Sequence, residues 1–266
     1  MENIKPTEEQ VERFMSTIPP ETKIAVIVPL FGFWNDEKNP DFTPEVLQMA
    51  LSRLRSFSHK IYYVFVAEKE RMSNEVSSII LGKIKAGNAV GVTVPVFATY
   101  SEYLNEGIQY AITETPCQYI VYFNPWIMIR EKGLDTLLER ANRGDGVGMV
   151  SGLDIKSMVP AQDFDLYQFH TEKEERMLNL DFFALNRAMA ETVQFDENYK
   201  THYFLSRDIW QSMYQKGMEV IATSFVPTFS FDVDWTVLEE RADYLADKEY
   251  FISKWGFDPD IHYGRE

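Results

Sequence analysis

The stretch YIVYFNPWIMIREKGLDTLLERANRGDGVGMVSG, Tyr119 to Gly152, decides the fold class. Its first five residues read as a short strand, and Asn124-Pro125-Trp126 breaks the run after Phe123. A helix follows from Glu131 to Ala141, and a second strand returns at Val147 to Val150. Strand, helix and strand in such close succession belong to a layered α/β domain.

Upstream the same alternation is already running. Ile24 to Val28 is mostly β-branched and closed by Pro29, which suits a strand buried on both faces. Thr43 and Pro44 open a helix whose Leu47, Ala50, Leu51 and Leu54 form one apolar stripe. Ile61 to Ala67 is the second strand, Ser73 to Lys85 a helix, Val90 to Phe97 the third strand and Ser101 to Thr113 a helix leading into Tyr119. This order predicts a mostly parallel sheet with helices on both sides. Ligands in such sheets sit beyond the carboxyl ends of strands, so the segments after Val28, Val66 and Phe123 are where chemistry is expected.

Downstream the pattern loosens. A polar stretch from Asp154 to Arg176 reads as a loop and Leu180 to Leu185 as a strand. Ser206 to Lys216 reads as a helix capped by Ser206 and closed by Gly217, and Val220 to Phe225 as a strand. The chain divides into an N-terminal helix over 1–22, one domain over 23–235 and a helical tail over 236–266. Within the domain, residues 23–123 and 124–235 form two successive halves.

Composition narrows the function classes. A net charge of −15 repels phosphate backbones and anionic lipid, so nucleic acid is not an expected partner. No apolar run is long enough to cross a bilayer and the N-terminus lacks the apolar region of a signal peptide, which predicts a cytoplasmic protein. The single cysteine, Cys117, excludes an internal disulfide and a cysteine-based zinc site, and the four histidines lack zinc-helix spacing. Oligomeric state leaves no mark in the sequence.

Four stretches together resemble family 2 glycosyltransferases, and the third and fourth resemble its rhamnosyltransferase-like branch. They are KIAVIVPLF from Lys23, YSEYLNEGIQYA from Tyr100 with Asn105, Gly107 and Ala111, the stretch from Tyr119 quoted above, and LDFFALNRAMAETVQFDENYKTHYFLSRDIWQSMYQKGMEVI from Leu180. The resemblance implies the GT-A nucleotide-diphospho-sugar transferase fold, with a mixed, mostly parallel sheet flanked by helices. It also implies transfer of a sugar from a nucleotide-sugar donor to a glycan or lipid-linked acceptor, with 23–123 as the nucleotide half and 124–235 as the acceptor half.

The departures matter as much. Where the resemblance implies Asn-Pro-Asp, the chain has Asn124-Pro125-Trp126, so an indole replaces the carboxylate assigned to Mg2+ or Mn2+. A metal-independent enzyme, or a catalytically silent domain serving as a binding or assembly subunit, follows from that change. Sugar transfer asks for a base-and-ribose site, positive charge for the leaving diphosphate and a carboxylate for the acceptor hydroxyl. Pro29, Glu68, Asn105, Asn124 and Trp126 are the expected donor-binding residues. Arg130, Arg187 or Arg207 could face the diphosphate. Asp208 is the first choice for the base, with Asp232 and Asp234 the second.

Overall fold

Strand β1 (Thr22–Pro29) is the axis of the molecule. Its residues alternate between two apolar layers: Ile24, Val26 and Val28 face one, Ala25 and Ile27 the other. A strand with no polar face must be covered on both sides, and helices do so. The computed structural model describes residues 22–30, 43–68, 72–142, 147–154, 174–175, 178–230 and 242–259.

The first half is a run of parallel crossovers. Helix α1 (Pro44–Arg53) leads to β2 (Lys60–Ala67), α2 (Asn74–Lys85) to β3 (Ala89–Thr93), and α3 (Tyr100–Glu114) to β4 (Tyr119–Phe123). Each helix begins on a side-chain cap. Thr43 accepts from the Val46 N–H, Ser73 accepts from the Val76 N–H, and Thr99 with Glu102 forms a reciprocal capping box. β1 pairs in parallel with both β2 and β4, and β2 with β3. Pro29, Ala67 and Phe123 therefore end at one edge of one sheet.

The second half adds β5 (Ile127–Ile129), α4 (Gly133–Ala141), β6 (Val147–Asp154), β7 (Glu174–Glu175), β8 (Phe182–Asn186), α5 (Arg187–Ala190), α6 (His202–Gln215), β9 (Glu219–Ser230) and α7 (Ala242–Trp255). The sheet order is β3-β2-β1-β4-β8-β6-β9-β5, with β7 on β9. β8 runs antiparallel to both β4 and β6, so its first residue meets the edge where its neighbours end. Helices α1, α2 and α4 cover one face, and α3, α5, α6 and α7 the other. This is the mixed, mostly parallel sheet that the sequence predicts.

Some boundaries move. β3 stops at Thr93, before Pro95. α6 begins at His202 with Thr201 as its cap position, four residues before Ser206, whose hydroxyl donates to the Tyr203 carbonyl inside the helix. Residues 1–21, and nearly all of the polar stretch after Asp154, lie outside the described residues. Among the described residues no helix is long and apolar enough to cross a membrane.

Candidate functional site at the carboxyl edge

The carboxyl ends of β1, β2, β4 and β6 meet the amino ends of β8, α3 and α6 along this edge. Pro29 is buried opposite Val66, the Leu30 N–H donates to the Val66 carbonyl at 2.8 Å, and Glu68 is 2% exposed just after β2. The mouth is thus bounded by two tightly held strand ends.

The centre of the edge is polar. Asn124, just past β4, donates its side-chain amide to Asp181 Oδ1 at 2.8 Å and its backbone N–H to the Asp181 carbonyl at 2.7 Å. Asn179 braces the same turn: it accepts from the Asp181 N–H at 2.9 Å, donates its amide to Thr228 Oγ1 at 3.0 Å and its backbone N–H to Ser151 Oγ at 3.0 Å. Asp181 is therefore held from β4, β6 and β9 at once. His202, the first residue of α6, lies 5.7 Å from the Tyr100 ring, and the Tyr100 hydroxyl donates to the Leu180 carbonyl at 3.3 Å.

This enclosure changes the acids and bases. Burial raises the Asp181 carboxyl above its ordinary value; the His202 charge and the Asn124 amide pull it back, and the Asp154 charge adds to the rise. Burial holds His202 below the ordinary imidazole value, against the pull of Asp181. Burial and then the Asp181 charge push the Tyr100 hydroxyl up, so it remains a donor. A neutral imidazole beside a carboxylate can take a proton and have the resulting charge stabilised.

No protein-family model matches the sequence, and no curated protein matches it. Solved structures do. The chain is similar to GalNAc-T7 solved with UDP, GalNAc and Mn2+, at 11% identity and TM-score 0.60 over 88% of this chain and 49% of that one. It is also similar to S. aureus TarS 1-349 with UDP-GlcNAc, at 12% identity and TM-score 0.56 over 88% of this chain and 66% of that one. A third is the mannosyltransferase PcManGT from Pyrobaculum calidifontis with GDP-Man and Mn2+, at 10% identity and TM-score 0.55 over 84% of this chain and 62% of that one. The chain thus spans about half the length of the first and just under two thirds of the other two.

The fold is GT-A.

The GT-A sheet brings some of the sequence-predicted residues to the edge and sends others elsewhere. Pro29, Glu68 and Asn124 are at the edge. Trp126 follows it, yet its ring packs in the layer of α1, α2 and α4, and its backbone N–H donates to Asn124 Oδ1 at 3.2 Å. Asn105 is engaged within the protein. Its amide donates to the Phe195 carbonyl at 2.8 Å and to Glu197 Oε1 at 2.9 Å, and its oxygen accepts from the Phe195 N–H at 2.9 Å, clasping α3 to the loop before α6.

Asp208 is displaced too. With α6 starting early, it falls inside the helix, 2% exposed, where it accepts from Tyr199 Oη at 3.0 Å, Trp255 Nε1 at 2.8 Å and Lys254 Nζ at 2.8 Å. The structure gives it the task of docking α7. Asp232 and Asp234 lie outside the described residues. Arg187 donates to the carbonyls of Ile112, Thr115 and Cys117, beside the start of β4 and so at the opposite edge. Arg207 stacks on Tyr203, and Arg130 lines a separate hollow. Cys117 is buried, and that burial raises its thiol.

A hard divalent cation wants several oxygen donors. The tryptophan at position 126 offers none, the Asn124 oxygen already accepts the Trp126 N–H, and among the described residues no group of three or more histidine, cysteine or acidic side chains could hold a metal. The described residues do not fit such an ion.

Asp181 and His202 are the residues that sequence reasoning missed. Asp181 is hidden inside an aromatic strand pattern, and its one signal is the Asn-Leu-Asp triplet at residues 179–181 before Phe182. His202 carries no local signal, because its partners are distant in sequence.

Proposed function

We propose that this chain transfers a sugar from a nucleotide-sugar donor to the hydroxyl of an acceptor, at the carboxyl edge and without a metal held by Asn124 and its neighbours. What carries the reading is the convergence of the β1, β2 and β4 ends on the Asn124–Asp181–His202 cluster. GT-A structures solved with UDP, UDP-GlcNAc and GDP-Man share the fold, which favours a nucleoside diphosphate as leaving group.

In this reading the base and ribose lie over Pro29 and Glu68. The neutral His202 imidazole takes the proton of the acceptor hydroxyl. The acceptor oxygen then bonds to the anomeric carbon as the bond from that carbon to the diphosphate breaks, and the diphosphate departs with the electron pair. Asp181 stabilises the imidazolium that forms. A hexosyl or deoxyhexosyl donor, the rhamnosyltransferase-like branch and a glycan or lipid-linked acceptor rest on the four sequence stretches alone, and a cytoplasmic setting on the sequence's lack of a long apolar run and of a signal-peptide region at its N-terminus.

The test is donor binding by the full chain. UDP, GDP, dTDP and their sugars are screened by thermal melting with and without Mn2+; a ligand at 100 times its Kd adds about 2.7 kcal/mol to stability. No shift with any of them would refute the reading. A second reading, a silent domain that binds without transferring, is favoured by Trp126, which fills the apolar layer where a ligating carboxylate is implied. Donor binding with no turnover and no loss on His202→Gln would select it.

A further inference from the structure

The residues just before His202 are held by a distant helix. Asp247 of α7 is 2% exposed and accepts three hydrogen bonds. Its Oδ1 takes the Lys200 N–H at 2.9 Å, and its Oδ2 takes the Thr201 N–H at 2.7 Å and the Thr201 hydroxyl at 2.6 Å. Thr201 is the cap position of α6, and His202 is the next residue. We propose that Asp247 is a positioning residue for sugar transfer, which fixes His202 at the carboxyl edge through Lys200 and Thr201. The catalytic consequence rests on the transferase reading; the placement of His202 does not.

A threonine at a helix start ordinarily turns its oxygen inward to accept an N–H of the first turn. Thr43 and Thr99 do so for α1 and α3. The Thr201 hydroxyl makes no such cap and donates outward to α7 instead. The direction in which the chain enters α6 is therefore set by an acid 46 residues further on. His202, facing the Tyr100 ring at 5.7 Å and the Asp181 charge, takes its place from that entry.

The rest of the approach is pinned by the same helix. Asp196 Oδ2 accepts from the Tyr250 hydroxyl at 2.9 Å and from Lys254 Nζ at 2.7 Å, and the Asn198 amide donates to Tyr250 Oη at 3.2 Å. The Tyr199 ring meets Tyr250 edge-on at 5.1 Å. Asp247 alone in this set grips the backbone next to His202. An amide cannot take over: asparagine has one acceptor oxygen, and whichever way it turns, its NH2 meets a backbone N–H. A base must lie within hydrogen-bond reach of the proton it takes, and a misplacement of about 1 Å costs on the order of 100-fold. The bonds of Asp247 fall on neither Pro29 nor Glu68, so its loss acts on the chemical step and spares donor binding.

The test uses the full chain and reads His202 directly. In 1H–15N spectra of the histidine rings, with His202 assigned from the His202→Gln variant, Asp247→Asn is expected to displace the His202 signals and leave those of His59 in place. Phe251→Leu, at a buried α7 position that packs on Phe204, is expected to lower the melting temperature without moving them. Thr201→Ser keeps the hydroxyl and is expected to match wild type. Should Asp247→Asn fold poorly, Thr201→Val, which removes one of the three donors, reads the same displacement in smaller degree. Signals unmoved in Asp247→Asn and Thr201→Val, or moved as far in Phe251→Leu, would overturn the positioning role. Release of UDP from UDP-GlcNAc and of GDP from GDP-mannose is measured alongside. In Asp247→Asn kcat is expected to fall at least about tenfold with the donor KM within about twofold, and an unchanged kcat would overturn the proposal. Failure of the wild type to release either nucleotide counts against the transferase reading, while the ring spectra still decide whether Asp247 places His202.

Discussion

Asn124 and Asp181 meet at 2.8 Å although 57 residues separate them in sequence, the first just past β4 and the second just before β8. Their bond places an acid, itself braced by Asn179, at the edge where the parallel strands end. Because burial raises that acid, the fold is the less stable for keeping it charged.

Asp181→Asn is therefore expected to leave thermal stability unchanged or slightly higher at neutral pH while abolishing sugar transfer. The amide keeps the shape and can still accept from Asn124, but cannot stabilise an imidazolium. A raised carboxyl favours folding below its unfolded pKa, and that contribution is lost as pH rises through the folded value. A variant that melts lower and transfers normally would contradict the prediction.

The α7 clasp has the opposite pH dependence. Burial would raise Asp196, but Lys254, the Asn198 backbone and amide donors and the Tyr250 hydroxyl hold it down at about 2. Its stabilisation is complete above the ordinary carboxylate value and is lost as pH falls toward 2. Asp196→Asn should flatten the acid limb of the stability curve and cost on the order of 1 kcal/mol at pH 7, allowing for solvent screening. Melting temperatures of both proteins from pH 3 to pH 7 measure this.

Gly107 sets how closely α3 approaches the sheet. A Cβ there would lie 2.5 Å from Ile27 Cγ2 and 3.1 Å from Val66 Cγ2, both inside the strands. Gly107→Ala is expected to cost about 1 to 3 kcal/mol in urea unfolding, with the denaturant slope unchanged.

Phe97 is 80% exposed yet holds φ at 66°, a backbone region costly for a bulky aromatic. Phe97→Asn should raise stability by up to about 1 kcal/mol. It should also weaken nucleotide binding if the ring, which follows β3 near the carboxyl edge, stacks on the base. Unfolding free energies and nucleotide titrations of the two proteins check both effects.

The sheet was legible in the sequence because each strand of the first half is bounded by local punctuation: Pro29 as the last residue of β1, Ser73 and Thr99 at helix starts, Pro125 after β4. The site was legible only in part. Ser206 offers the better local cap, yet α6 starts at His202, because the Asp247 carboxylate of α7 accepts from the Lys200 and Thr201 N–H groups and the Thr201 hydroxyl. That tertiary anchor shifts the helix start and moves Asp208 from the expected mouth into the α6–α7 interface. Asn105-x-Gly107 reads as part of a nucleotide motif, whereas its amide and its missing Cβ both serve packing.

Strand β8 lies between β4 and β6, and its reversed direction means that the acid before it is positioned by neighbours on both sides. Neither the residues before 143, with Pro29, Glu68 and Asn124, nor those after 146, with Asp181 and His202, contain a complete mouth. Two separately produced fragments cut near residues 143–146 would each lack part of it. On the proposed function, mixing them would restore nucleotide response only as the central ladder zips together, so the mouth would double as a sensor of whether the chain has finished assembling.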